Sequence, residues 1–185
     1  MSDYKAPLRD VQFVMDELFN FEAHYQGLGF EDATPDMVKA ILEEAAKFTT
    51  NVLAPLNQSG DAQGCSFNDG VVTTPDGFKE AYNQYIEAGW PSLAHPEQFG
   101  GQALPGSLHA IIAEFIDSAN FSFGMYSGLS QGAVNTINYH GTEQQKQTYL
   151  PNLVSGQWTG TMCLTEAHCG TDLGLLRTKA EPNDD

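Results

Sequence analysis

With 185 residues, 41% of them hydrophobic and 17% charged, the chain has the make-up of a folded globular protein and lies far from that of a disordered one. The length suits one ordinary domain, or one domain and a piece of a second. Twenty-four acidic against eight basic side chains give a formal charge of -16, which repels a nucleic-acid backbone or an anionic bilayer over most of the surface and removes nucleic acid from the expected partners.

A phosphate-bearing cofactor on so acidic a chain has to rest on backbone N–H groups, hydroxyls and a few placed cations. Met1 to Asp10 has no apolar core of signal-peptide length, and no apolar run approaches the ~20 residues of a membrane span. Cys65, Cys163 and Cys169 form no CxxC pair and fit reduced thiols, so a cytoplasmic protein without a metal site is expected.

In chain order, Val11, Val14, Met15 and Leu18 recur at helical spacing after Asp10, an N-cap residue type, and predict a first helix to about Asn20. Thr34-Pro35-Asp36 is a helix start, and Val38, Ile41, Leu42, Ala45, Phe48 and Val52 keep one face apolar until Pro55, where the run is expected to stop. The glycines and small polar residues from Asn57 to Thr74 predict an irregular connection with a short strand at Val71 and Val72. Phe78, Ala81, Tyr82, Tyr85 and Ile86 mark a helix ended by Gly89, and Leu108, Ile111, Ile112, Phe115 and Ile116 mark another. Between them lies a turn-rich loop containing Gly89-Trp90, Pro96 and Phe99-Gly100-Gly101.

A helix from about Tyr126 to Tyr139 turns Leu129, Ala133, Val134 and Ile137 inward, and Thr142 with Gln145 forms a capping box that opens a further helix to Leu150, interrupted by Pro151. From Gln157 the period changes: Trp158, Gly160, Met162 and Leu164 alternate with polar or small residues as in a strand, and a second strand-like run follows at Leu176 to Ala180. The expected class is therefore mainly α, with a helical domain over residues 1–156 and the opening of a β domain over 157–185 that ends before its partner strands.

The stretch with the most chemistry is Met162-Cys163-Leu164-Thr165-Glu166-Ala167-His168-Cys169-Gly170-Thr171-Asp172, at the end of the first strand-like run. Gly170 permits close backbone approach to a ligand, and the Thr165 and Thr171 hydroxyls suit a flavin ring or a diphosphate. The run HGTEQQKQTYLPNLVSGQWTGTMCLTEAHCGTD, from His140 to Asp172, resembles the acyl-CoA dehydrogenase family, in which a helix near HGTEEQK leads into a strand bearing TEPxAGSD. The earlier GWPSLAHPEQFGGQALP is similar to that family's GWxxLxxPExxGGxGLP loop. YKAPLRDVQFVMDEL, GDAQGC, VVTTPDGFKEAY and SANFSFGMYSGLSQGA are most similar to one branch of it, the 3-methylmercaptopropionyl-CoA dehydrogenases of dimethylsulfoniopropionate breakdown.

The resemblance implies a helical amino-terminal domain, a middle β domain and a carboxy-terminal helical domain, with FAD and an acyl-CoA between them. It implies that Met162, Cys163, Leu164, Thr165, Glu166, Ala167, His168, Cys169, Gly170 and Thr171 line the flavin and its diphosphate, and that Thr171, where the family has Ser, also touches the acyl-CoA. It further implies electron-transfer flavoprotein as acceptor, a homodimer or homotetramer, and a catalytic carboxylate beyond Asp185, so that this chain carries no catalytic residue and is inactive alone. Ala167 replaces the family's Pro, and His168-Cys169 replaces small residues. The alternatives are an acyl-CoA oxidase, a non-enzymatic helical binding module, a Cys-His hydrolase built from His168-Cys169 with His140, although adjacent residues on an extended segment point apart, and a metal site that adds Cys163, for which the spacing is not a standard zinc pattern.

Overall fold

The structure is a computed structural model, described here over residues 4–183. It is mainly helical, as expected, with α1 at Leu8–Gln12, α2 at Phe21–Gly27, α3 at Pro35–Phe48, α4 at Ala54–Gln63, α5 at Phe78–Glu87, α6 at Gly106–Ala119, α7 at Phe121–His140 and α8 at Glu143–Val154. A hairpin of β1 (Ser66–Asn68) and antiparallel β2 (Val71–Thr73) places Phe67 opposite Val72. No helix among the described residues is long and apolar enough to cross a membrane.

Several boundaries differ from those the sequence suggests. The first helix begins at Leu8 behind Pro7, so Asp10 lies in its first turn and is not its cap, and it passes into a π-helical turn at Phe13–Leu18. That wider turn rotates the apolar stripe: Met15 is buried while Val14 and Leu18 are exposed. Pro55 does not stop the next run. Thr49, fully buried, donates its hydroxyl to the carbonyls of Ala45 (2.9 Å) and Ala46 (3.2 Å), and a π-helical turn at Thr49–Leu53 shifts the register. Pro55 then falls in the first turn of α4, where its missing N–H matters little, and the expected irregular connection is helical to Gln63. Pro151 likewise sits inside α8, which continues to Val154 because Leu150, Leu153 and Val154 are buried on it.

The capping box is present, with Gln145 N–H donating to Thr142 Oγ1 (3.2 Å) and Thr142 N–H to Gln145 Oε1 (2.8 Å). The main core gathers Leu42, Leu53, Tyr85, Leu108, Phe115 and Phe123, and a second cluster joins Phe99 of the turn-rich loop to Val134 on α7 and Leu150, Leu153 and Val154 on α8. Tyr85 and Phe123 meet edge to face at 5.5 Å between centroids. Asn120, at the corner between α6 and α7, accepts from Phe123 N–H (3.2 Å) and donates to the Leu53 carbonyl (3.2 Å).

Burial pushes the Tyr85 and Tyr82 hydroxyls up to about 12. An unfolded tyrosine ionises near pH ~10. Between these values the folded form holds more protons than the unfolded one, so this contribution is intact below pH ~10 and is lost as pH rises towards 12. Urea midpoints should be level between about pH 8 and 9 and fall progressively above about pH 10.

Candidate functional site

Beyond α8 the chain leaves the helical body as an arm without a strand ladder. Trp158 N–H donates back to the Asn152 carbonyl (3.0 Å), and Gly160 N–H to Ser130 Oγ on α7 (3.0 Å). Gly160 has to be glycine: a Cβ there would lie 2.5 Å from the Ala133 Cβ. Neither strand-like run, Trp158 to Thr165 or Leu176 to Ala180, forms a strand among the described residues. In the second, the N–H groups of Arg177 and Thr178 donate to the Glu166 carboxylate instead of to a neighbouring strand.

The expected site residues lie on this arm. Met162, Cys163, Leu164, Thr165, Ala167, His168, Gly170 and Thr171 are exposed, Glu166 is half-buried and Cys169 is buried. A tight turn is closed in both directions by Glu166 N–H to the Cys169 carbonyl (2.9 Å) and Cys169 N–H to the Glu166 carbonyl (3.2 Å). Among the described residues, the N–H groups of Thr161 to Thr165, Gly170 and Thr171 have no partner within the chain, nor do the Thr165 and Thr171 hydroxyls. A row of free donors is what an anionic or carbonyl-rich ligand requires.

Glu166 accepts from Thr178 N–H at 2.8 Å and from Arg177 N–H at 3.1 Å. Hydrogen bonds from the Thr178 side chain, and then from these two amides, hold its carboxyl below the usual range. A carboxylate so stabilised is a poor proton acceptor. His168 Nε2 donates to the Leu175 carbonyl (2.9 Å) and lies 3.4 Å from Glu166 Oε2. Glu166, His168 and Cys169 thus come together, while His140 and Cys163 are not part of that cluster. Sequence reading did not anticipate a cleft of about 710 Å³ between hairpin, α5 and α7, lined by Cys65, Val72, Phe78, Lys79, Tyr82 and Tyr126. Its lining comes from four separate segments with no shared spacing, so no local pattern marks it.

In class this is a mainly helical domain with one small hairpin, carrying an irregular, donor-rich arm. The family profile described as acyl-CoA dehydrogenase, N-terminal domain, matches residues 35–157, and the chain belongs to the acyl-CoA dehydrogenase family. It is 38% identical over 182 residues to the 3-methylmercaptopropionyl-CoA dehydrogenase of Ruegeria pomeroyi, covering 98% of this chain and 31% of that one. Its fold is similar to that of butyryl-CoA dehydrogenase from Megasphaera elsdenii, with a TM-score of 0.66, 26% identity, and coverage of 82% of this chain and 38% of that one. It is also similar to an acyl-CoA dehydrogenase complexed with FAD from Bacillus anthracis, with a TM-score of 0.61, 25% identity, and coverage of 77% and 23%. The chain spans about a third of the length of the curated relatives it matches.

Proposed function

We propose that the complete protein carries out FAD-dependent α,β-dehydrogenation of an acyl-CoA thioester, with 3-methylmercaptopropionyl-CoA as the substrate, and that this chain supplies the helical domain and the flavin-facing loop. The observation that carries the reading is the row of unpartnered amides at Thr161 to Thr165 and at Gly170 and Thr171, with free hydroxyls on Thr165 and Thr171. These are the donors an acidic chain has available for a flavin ring and a diphosphate. The substrate rests on the 38% identity to the Ruegeria enzyme across nearly the whole chain.

FAD, when bound, supplies the hydride acceptor. The loop residues Met162 to Thr171 hold and orient it through backbone N–H groups and the two hydroxyls, with Thr171 also touching the acyl-CoA. Glu166 shapes the loop by tying it to Arg177 and Thr178. The α-proton is removed by a carboxylate outside this chain, so the chain alone is inactive. In the same reading residues 157–185 open a middle β domain, whose further strands supply the ladder that the arm lacks. Electron-transfer flavoprotein takes the electrons, and the protein works in the cytoplasm as a homodimer or homotetramer.

The test is flavin content per chain in the purified complete protein. Thr165→Val should weaken FAD retention about fivefold, the loss of one ordinary hydrogen bond of about 1 kcal/mol. Gly170→Val should weaken it more. A Cβ at Gly170 meets only Thr165 Cγ2, at 3.9 Å, so the chain itself accommodates the side chain and the loss reports blocked ligand approach. Cys65→Ala, away from the loop, should retain its flavin. Unchanged flavin content in both loop variants would reject this assignment.

A further inference from the structure

We propose that Glu166, His168 and Cys169 form a binding site for a borderline-soft divalent cation of the Zn²⁺ type. His168 and Cys169 are the two residues by which the loop departs from the small residues usual at these positions, and flavin binding through amides and threonine hydroxyls gives neither side chain a task. One ligand atom from each of the three residues lies within 4.8 Å of the others. The turn that brings their backbones together is closed by two reciprocal backbone hydrogen bonds.

Carboxylate, imidazole and thiolate are a donor set that Zn²⁺ accepts, and three protein ligands leave a fourth position for water. One surrounding contact resembles those that orient metal ligands: backbone amides of Arg177 and Thr178 hold the Glu166 carboxylate. The imidazole binds through Nε2, which lies 3.4 Å from Glu166 Oε2 and exchanges the Leu175 carbonyl for the metal, with the ring proton carried on Nδ1. On binding, the Cys169 thiol releases its proton to water as the sulfur–metal bond forms; carboxylate and thiolate together neutralise the dication. Solvent reaches the site from the His168 side, while Cys169 forms its buried floor.

The site does not require flavin, so it is tested on the flavin-free 185-residue chain, titrated with Zn²⁺ by calorimetry and with Co²⁺ as the spectroscopic probe. A single Co²⁺ per chain should bind and give a near-ultraviolet thiolate charge-transfer band. Cys169→Ala should abolish that band, and Cys169→Ala and His168→Ala should each weaken Zn²⁺ binding at least about tenfold, with unchanged far-ultraviolet circular dichroism. Cys65→Ala and Cys163→Ala should bind as the parent does. Zn²⁺ binding undiminished in Cys169→Ala and His168→Ala, a band that follows Cys163, or no stoichiometric binding would overturn the proposal, and none of these results bears on flavin retention.

Discussion

Gly101→Ala should lower stability by about 3 kcal/mol, the top of the ordinary range for forcing atoms into a packed site. A Cβ at Gly101 would fall 1.9 Å from the His95 carbonyl oxygen, a backbone atom that already accepts from Ala103 N–H (2.9 Å). That oxygen cannot turn aside as a side chain could. The loop folds its backbone back on itself through Gly101 N–H to Pro96 (3.0 Å), Gln102 N–H to Ser92 (3.0 Å) and Leu104 N–H to Leu93 (3.0 Å). Relief of the clash therefore breaks several of these bonds together and loosens Phe99, which packs with Val134 on α7 and with Leu150, Leu153 and Val154 on α8. Gly106→Ala is the control, since a Cβ there meets nothing within 4 Å. Urea denaturation of the two variants checks the expectation, and equal midpoints would contradict it.

Asn120→Ala should cost about 2–3 kcal/mol, combining the loss of an N-cap with the loss of a buried hydrogen bond. The side chain is 1% exposed and works in both directions, accepting from Phe123 N–H at the start of α7 and donating to Leu53 at the head of α4. Asn120→Ser keeps a capping oxygen and gives up only the reach to Leu53, so its midpoint in urea should fall between those of parent and alanine variant. A change below about 0.5 kcal/mol in Asn120→Ala, the scale of an ordinary surface substitution, would show that the corner is held by packing alone.

Much of the helical body is legible because its apolar residues repeat with the helical period: α3, α5 and α6 lie close to where their stripes put them, α8 starts where its capping box puts it, and the Val71–Val72 strand is found within Val71–Thr73. The two helices that run past their prolines share one physical origin. Local preference makes Pro55 and Pro151 stops, whereas burial of Leu53, Leu150, Leu153 and Val154 decides that the chain stays helical past both. The helix α2 has only a short stripe, Phe21 and Tyr25, four apart and both buried, which is too little to mark a helix by periodicity. The helix α7 starts at Phe121, ahead of its apolar stripe from Tyr126, because the Asn120 side chain caps it.

For the candidate site, the motif showed which residues share a loop and the coordinates added how they are tied. Alternation at Trp158 to Leu164 and at Leu176 to Ala180 is a strand pattern, but a strand also needs a neighbour to take its backbone bonds. With no ladder formed, Gly160 turns to Ser130, and Arg177 and Thr178 turn to Glu166. The joining of Glu166 to residues eleven and twelve positions away has no local signal, because it depends on the path of the chain between them.

Anaerobic mixing of the complete flavin-loaded protein with 3-methylmercaptopropionyl-CoA bears most directly on the central claim. Flavin absorbance should bleach within a single turnover as the hydride arrives, and Thr165→Val should slow that bleaching by about a factor of five, one hydrogen bond's worth. A purified protein that carries no flavin, or a bound flavin that no acyl-CoA thioester reduces, would contradict it.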